Sequence, residues 1–224
     1  VGQKSLDMER QSMQAMMIHV TGKLASGEHL PVTKSELAQT LEGRAYTPQQ
    51  AELIASAQTP HNALATEIAH AAGLRAHELL TLCPVAERAA DPRPALDSKW
   101  KGRSGEIYTV QGKGGLTREV MIPHELAARL EERRLDAPQV VTDRGVFYQS
   151  SYDIGGGQRW SNSVSAASER TMGRSTGAHG LRHSYAQERM TELQNRGLSR
   201  DAALETVSQE MGHFRPEITE TYLR

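Results

Sequence analysis

HGLRH, at residues 179–183, is the most informative segment of this 224-residue chain. The surrounding pattern predicts a helix over about 180–195. Residues spaced i, i+3 and i+4 share one face of a helix, so His179, Arg182 and His183 present two imidazoles and a guanidinium together. Such a cluster predicts an anion-binding face.

A second arginine lies upstream, in the segment AGLRAHELL at residues 72–80. Arg75 and Glu78 are spaced i, i+3 there, so the carboxylate can hold the guanidinium in place. Downstream, His213 follows a predicted helix in a Gly-His pair, and Tyr222 comes nine residues later. Each residue alone has an ordinary structural interpretation, such as a helix cap or a packed phenol. Their order along the chain is what predicts a functional site.

The remaining pattern predicts a mainly α-helical fold with a small antiparallel β-sheet, in the α+β class. Two β-prone runs, 106–110 and 118–122, flank the glycine-rich segment QGKGG at 111–115 and predict a hairpin. The stretch 143–160, which contains three consecutive glycines, is interpreted as a loop or weak strands. Helices are predicted over about 48–57, 61–72, 76–82, 124–135, 162–172, 180–195, 200–211 and 216–223.

A domain boundary is predicted near residue 45. Residues 5–25 carry methionines and aliphatic residues at helical spacing, which predicts an amphipathic helix packed in a core. Thr47, followed by Pro48 and Gln50, predicts a capped helix start just after the boundary. We therefore expect a short N-terminal part, 1–45, and a larger domain, 46–224.

Composition narrows the possible classes of protein. The single cysteine, Cys83, excludes a disulfide framework and a Cys-rich zinc ribbon, which fits a reducing cytoplasmic compartment. The absence of an eighteen-residue apolar run predicts a soluble protein, and the start at Val1 suggests a fragment. The net charge of −1 argues mildly against a nucleic-acid partner, but residues 99–134 carry eight basic and five acidic groups. The basic excess is local.

In their order, these segments resemble the catalytic domain of the tyrosine recombinases, the phage-integrase family that includes Xer-type and Cre-type enzymes. The resemblance extends over about 46–224 and implies the DNA breaking-rejoining fold. Residues 1–45 then correspond to a remnant of the N-terminal core-binding domain and a linker. The residues that match the family's catalytic motifs are Arg75, Lys113, His179, Arg182, His213 and Tyr222.

The resemblance implies that Tyr222 attacks a DNA phosphodiester and that His179 is the candidate base. A phenol has a reference pKa near 10, so a tyrosine nucleophile needs a neighbour that accepts its proton. Arg75 and Arg182 would clamp the phosphate, because a guanidinium binds two phosphate oxygens and stays charged. Neither a metal nor ATP is required, because the phosphotyrosyl ester conserves the energy of the broken bond.

Further roles follow from the same resemblance. Lys113 would protonate the leaving oxygen, and His213 would hydrogen-bond a non-bridging oxygen. Glu78 and His183 are expected to support the catalytic groups. Backbone contacts to DNA are assigned tentatively to the cations that flank the hairpin and the loop before the 179–183 segment: Lys99, Lys101, Arg103, Arg118 and Arg159.

The expected partner is double-stranded DNA, and the working form is expected to be a homo-oligomer, a tetramer by resemblance, on synapsed DNA. The expected location is the bacterial cytoplasm, associated with the nucleoid, with a role in DNA integration by a mobile genetic element. Two alternatives stay open: a type IB topoisomerase that relaxes DNA, and a catalytically silent DNA-binding accessory protein of the same fold.

Two other chemistries are disfavoured by the residues themselves. The Gly112-Lys113-Gly114 segment lacks the Ser or Thr that follows the lysine of a nucleotide-binding P-loop. A zinc site at His179 and His183 lacks the glutamate of the His-Glu-x-x-His motif, and Arg182 would place a cation beside the metal.

Overall fold

The computed structural model describes residues 1–37, 43–112 and 114–224. Contacts divide the chain into two compact units, Val1–Glu42 and Gly43–Arg224. In its described part the first unit has one helix, α1 (Gln3–His19), and none of the residues of this helix is buried. The prediction that its apolar stripe packs in a core is wrong, because residues 20–37 form bends and turns instead of a second element that could cover the stripe.

The second unit is mainly helical, as predicted. Its start confirms the predicted cap: the Thr47 hydroxyl accepts from the Gln50 backbone N–H at 3.2 Å, and the Gln50 side chain accepts from the Thr47 N–H at 3.0 Å. The helices described in this unit are α2 (Pro48–Ser56), α3 (Pro60–Ala72), α4 (His124–Glu131), α5 (Gly157–Met172), α6 (His179–Asn195), α7 (Arg200–Glu210) and α8 (Pro216–Glu220).

A three-stranded antiparallel sheet contains the predicted hairpin. Its order is β1 (Cys83–Pro84), β2 (Glu106–Gln111) and β3 (Thr117–Ile122). Each hairpin strand is one residue longer than predicted, toward the turn. Strand β1 has only two residues, too few to produce a recognisable alternation of polar and apolar residues.

Three predicted elements differ in the structure. Residues 76–82 form a short 3₁₀ turn, Glu78–Thr81, instead of an α-helix. Helix α4 ends at Glu131, before the predicted end, and the chain continues into a second hairpin, β4 (Arg134–Asp143) and β5 (Val146–Tyr152). The stretch 143–160, interpreted as a loop or weak strands, contains β5 and the start of α5. The β4 strand is mostly exposed, so its sequence lacks the apolar alternation that would have indicated a strand.

Two hydrophobic cores hold the second unit together. The first contains residues of α2 to α5 and the three-stranded sheet, and its largest side chain is Trp160, whose indole N–H donates to Thr66 at 3.0 Å. The second lies between α6 and α7 and includes Tyr222. Tyr222 lies in the turn after α8, and its packing against α6 and α7 brings the end of the chain to the start of α6.

Candidate active site

A buried carboxylate, that of Glu78, lies at the centre of the site. Its Oε1 accepts from Arg75 Nη1 at 2.8 Å, and its Oε2 accepts from the Arg75 backbone N–H at 2.8 Å. Arg118 Nη2 donates to Oε2 at 3.0 Å, and Arg182 Nη1 lies 3.9 Å from the same oxygen. The structure therefore brings Arg75 and Arg182 together around one carboxylate, and Arg118 joins them.

The charges of these groups stabilise one another. Burial alone would raise the pKa of the Glu78 carboxyl, but Arg118, Arg182 and Arg75 lower it to about 2. Burial lowers the pKa of Arg182 to about 10 despite the attraction of Glu78. All four groups are charged at neutral pH, and three guanidinium groups around one carboxylate leave the site net cationic.

Arg182 is held from several elements. It belongs to the first turn of α6 and is completely buried. Its Nη1 donates to the carbonyl of Gly73, and its Nη2 donates to the carbonyl of Met211 at 2.6 Å. Gly73 ends α3 in the left-handed region, with φ of 62°, and a Cβ there would lie 2.6 Å from the ring of Tyr185. Only glycine brings this carbonyl to Arg182 without strain.

His213 connects Arg182 to the last helix. Arg182 Nη2 lies 2.9 Å from His213 Nε2, and His213 Nδ1 lies 2.9 Å from the Thr219 hydroxyl. A guanidinium only donates, so Nε2 accepts and the proton is assigned to Nδ1. Burial and the charges of Arg182 and Arg75 lower the pKa of His213 to about 3. Thr219 carries no sequence signal that could have identified it as a partner of His213.

Tyr222 lies among three imidazoles. Its ring centroid is 5.2 Å from that of His179, 4.7 Å from that of His183 and 5.0 Å from that of His213. The Arg182 Cζ lies 5.5 Å from the same centroid. Burial, followed by the charge of Arg182, lowers the pKa of His179 to about 4. His179 is consequently neutral at pH 7 and able to accept a proton.

The predicted surface cations fall into different environments. Lys99 pairs with Glu119 at 2.7 Å, whereas Lys101 and Arg159 are exposed. Arg103 and Arg118, two of the cations assigned tentatively to DNA contacts, have guanidinium groups that are engaged inside the protein. Arg103 forms two hydrogen bonds with Glu192, at 2.8 and 2.9 Å.

Arg118 is 5% exposed and donates from Nη1 to the carbonyl of Glu210 at 2.7 Å. The sequence did contain a signal for its burial. In a strand, residues two apart share a face, and Arg118 shares one with Val120 and Ile122, both fully buried. Lys113, the predicted general acid, lies outside the described residues.

Neither a metal-ligand cluster nor a membrane-spanning helix is present among the described residues. No three of their His, Cys, Asp or Glu side chains are grouped as metal ligands would be. None of their helices is both long and apolar enough to cross a bilayer.

Comparison with known proteins identifies the fold. No protein-family model matches the chain, and a sequence search of curated proteins finds no match either. The XerH site-specific recombinase bound to palindromic difH substrate, a post-cleavage complex, matches with a TM-score of 0.54 at 16% identity, over 96% of this chain and 60% of that one. The Tn1549 transposon integrase in complex with circular intermediate DNA matches with a TM-score of 0.53 at 17% identity, over all of this chain and 76% of that one.

A pre-cleavage complex of XerH with difH gives a TM-score of 0.49 at 18% identity, over 86% of this chain and 54% of that one. This chain thus spans 54% to 60% of the length of the XerH chains. The fold is that of DNA-bound site-specific recombinases and integrases, mainly α-helical with small antiparallel sheets.

Proposed function

We propose that this protein is a site-specific tyrosine recombinase that cleaves and rejoins DNA strands through a 3'-phosphotyrosyl intermediate, without metal or ATP. The observation that carries the proposal is the convergence of three guanidinium groups, two neutral imidazoles and one phenol at one place. Arg75, Arg118 and Arg182 supply the positive charge, and Tyr222 lies within the same cluster. The fold shared with recombinases supports the same conclusion.

The proposed reaction is a transesterification. The Tyr222 hydroxyl oxygen forms a bond to the phosphorus, and the bond from the phosphorus to the 5'-oxygen breaks. The phenol proton passes to His179, which is neutral at pH 7, and Lys113 donates a proton to the leaving 5'-oxygen. In the reverse step a free 5'-hydroxyl attacks the phosphotyrosyl ester and releases Tyr222.

The arginines act on the charge that develops in the transition state. Cleavage passes through a pentavalent phosphorus that gathers negative charge on its non-bridging oxygens, and preorganised cations stabilise this charge without further rearrangement. Glu78 keeps the guanidinium groups of Arg75 and Arg182 in position, so we assign it a positioning role. His183 packs against the ring of Tyr222 and supports its orientation.

The partners follow from the reaction. Recombination between two sites requires at least two cleaved duplexes, so the working form is an oligomer of this chain on DNA, and we propose a tetramer. We assign it to the integration of a mobile genetic element. Mass measurement of the complex with DNA tests the number of copies.

The proposal is tested with a pool of nicked duplexes of randomised sequence, in buffer that contains EDTA and no ATP. The nick lets the 5'-hydroxyl fragment diffuse away, so a covalent protein–DNA adduct accumulates and survives SDS. Tyr222→Phe should abolish the adduct, whereas Tyr108→Phe, which removes a phenol outside the cluster, should keep it. If Tyr222→Phe still formed the adduct, the assignment of Tyr222 as the nucleophile would be refuted. Relaxation of arbitrary plasmid DNA by monomers would favour the topoisomerase alternative.

A further inference from the structure

A cleft of 860 Å³ opens beside Glu78. One side is formed by the turn of the first hairpin, with Gly112, Gly114 and Gly115. The other side is formed by the tip of the second hairpin, residues 144–148. None of the cations that the sequence suggested as DNA contacts lies at this second tip.

The lining of the cleft is cationic. Arg75, Arg118 and Arg144 line it, and the one carboxylate among its described lining residues is Glu78, which the surrounding arginines already neutralise. The Arg118 side chain is 4% exposed, and its Nε has no hydrogen-bond acceptor within the described parts of the chain. The Arg144 side chain is 64% exposed, and its Nε alone pairs with Asp143, at 3.3 Å. The positive charge of this lining would therefore attract an anionic ligand into the cleft.

The rim of the cleft is aromatic. Phe147 is 74% exposed at the hairpin tip, and the ring of Tyr148 lies 6.3 Å from that of His77, which also lines the cleft. An exposed phenylalanine gains stability when it packs against an apolar or aromatic surface. A ligand that offers both a negative charge and an apolar ring face satisfies the whole lining. A nucleotide of a DNA strand has this chemistry.

We propose that this cleft binds the nucleotide next to the scissile phosphate, with Arg144 on its phosphate and Phe147 packed against its deoxyribose ring. The proposal rests on the proposed function, because it takes the scissile phosphate to lie at Arg75 and Arg182. Arg75 lines both the catalytic cluster and the cleft, so a strand that reaches Arg75 continues into the cleft. The contact is independent of base identity, since every nucleotide of DNA carries the same phosphate and sugar.

The test measures the affinity of the whole chain for a 30-base-pair duplex over a series of salt concentrations. Loss of one phosphate contact lowers the magnitude of the slope of log K against log salt by about 1. We expect this change for Arg144→Gln but not for Arg170→Gln, a control arginine on α5 that does not line the cleft. Phe147→Ala should raise the Kd about fivefold or more with the slope unchanged, whereas Val140→Ala on the same hairpin should not.

The outcomes separate the two proposals. If both cleft variants bind DNA like the parent chain while the parent still forms the Tyr222 adduct, the cleft proposal is wrong and the proposed function stands. An effect of Arg144→Gln without an effect of Phe147→Ala would also overturn it and leave only a phosphate contact. If the parent chain forms no adduct, the proposed function fails. All four substituted side chains are at least partly exposed, and thermal unfolding checks that each variant is folded.

Discussion

The ring of Tyr222 lies over the guanidinium of Arg182, with 5.5 Å between the ring centroid and Cζ. Arg182 is completely buried and Tyr222 is 8% exposed. One face of the guanidinium is thus covered by the proposed nucleophile, and no part of Arg182 is open to solvent. Binding of a scissile phosphate at Arg182 requires that Tyr222 shift, and the contacts that hold this last segment therefore control access to the site.

Gln187 supplies such a contact. Its Nε2 donates to the carbonyl of Tyr222 at 3.1 Å and to the carbonyl of Arg224 at 3.0 Å. Gln187→Ala removes both bonds, each of which contributes about 1 kcal/mol. We expect amide hydrogen exchange in residues 219–224 to become about fivefold faster or more, with the global free energy of unfolding lowered by no more than about 2 kcal/mol. Gln158→Ala, which removes a side-chain bond on α5, is the control, and equal exchange in both variants would contradict the prediction.

Glu78→Gln is predicted to destabilise the fold strongly. The substitution removes the one negative charge among three guanidinium groups, and Arg182 would remain completely buried without a counter-charge. Breaking a buried ion pair by removing one partner costs about 3 kcal/mol or more. Denaturant unfolding at pH 7 measures the loss. Glu119→Gln, which breaks a partly exposed pair with Lys99, should cost less than about 1 kcal/mol.

The effect of Glu78 on stability should depend on pH in a defined window. Its pKa is about 2 in the folded chain and near the reference value of about 4.3 in the unfolded chain. A lowered folded-state pKa contributes stability that is fully present above the unfolded value and is lost as the pH falls through the folded value. The difference between the parent chain and Glu78→Gln should therefore be constant above about pH 5 and shrink as the pH falls toward 2. A constant difference down to pH 2 would contradict the assigned charge.

Local spacing explains which parts of the site could be predicted from sequence. Arg182 and His183 follow from helical spacing, because the helix itself sets the direction of each side chain. Arg75 and Glu78 pair as predicted although Arg75 precedes the 3₁₀ turn. The Glu78 N–H donates to the Arg75 carbonyl at 3.0 Å, and residues three apart lie on the same side of a turn closed in this way. In each case a single element determines the contact.

The remaining contacts depend on tertiary packing, which no local pattern encodes. Thr219 reaches His213 only because α8 packs against α7, and the position of Tyr222 over Arg182 needs the same packing. The second hairpin was predicted only in part, as a loop or weak strands over 143–160, for a different reason. Its strands are largely exposed, and Val140 and Phe147 are apolar residues on the solvent side, so the alternation that marks a half-buried strand is lost.

Arg75 should be more informative than Arg182 for measuring the contribution of an arginine to catalysis. Its side chain is 26% exposed, whereas Arg182 is completely buried, so Arg75→Gln is less disruptive to the fold. We expect the rate of adduct formation to fall by about 10² to 10³, as for the loss of one preorganised donor to a developing oxyanion. Arg170→Gln, an exposed arginine of α5 outside the cluster, should change the rate less than about threefold. A comparable loss in both variants would contradict a specific role for Arg75.

The pH dependence of adduct formation tests the role of His179. Burial, followed by the charges of Arg182, His183, Arg44 and Arg75, lowers the pKa of His179 to about 4. A general base acts in its neutral form. The rate of adduct formation at subsaturating DNA should therefore fall on the acid side with a midpoint near pH 4, instead of near the reference pKa of about 6.5 for an exposed histidine.

Between pH 7.5 and 5.5 we therefore expect the rate in the parent chain to change little. His179→Gln should lower the rate by about 10² or more, because general base catalysis contributes on that order, and should remove the acid limb that remains. A parent profile with its midpoint near pH 6.5 would mean that the base is a solvated imidazole elsewhere. A His179→Gln variant that kept both the rate and the limb would assign the proton transfer to another group of the cluster, with His183 and His213 as the next to substitute.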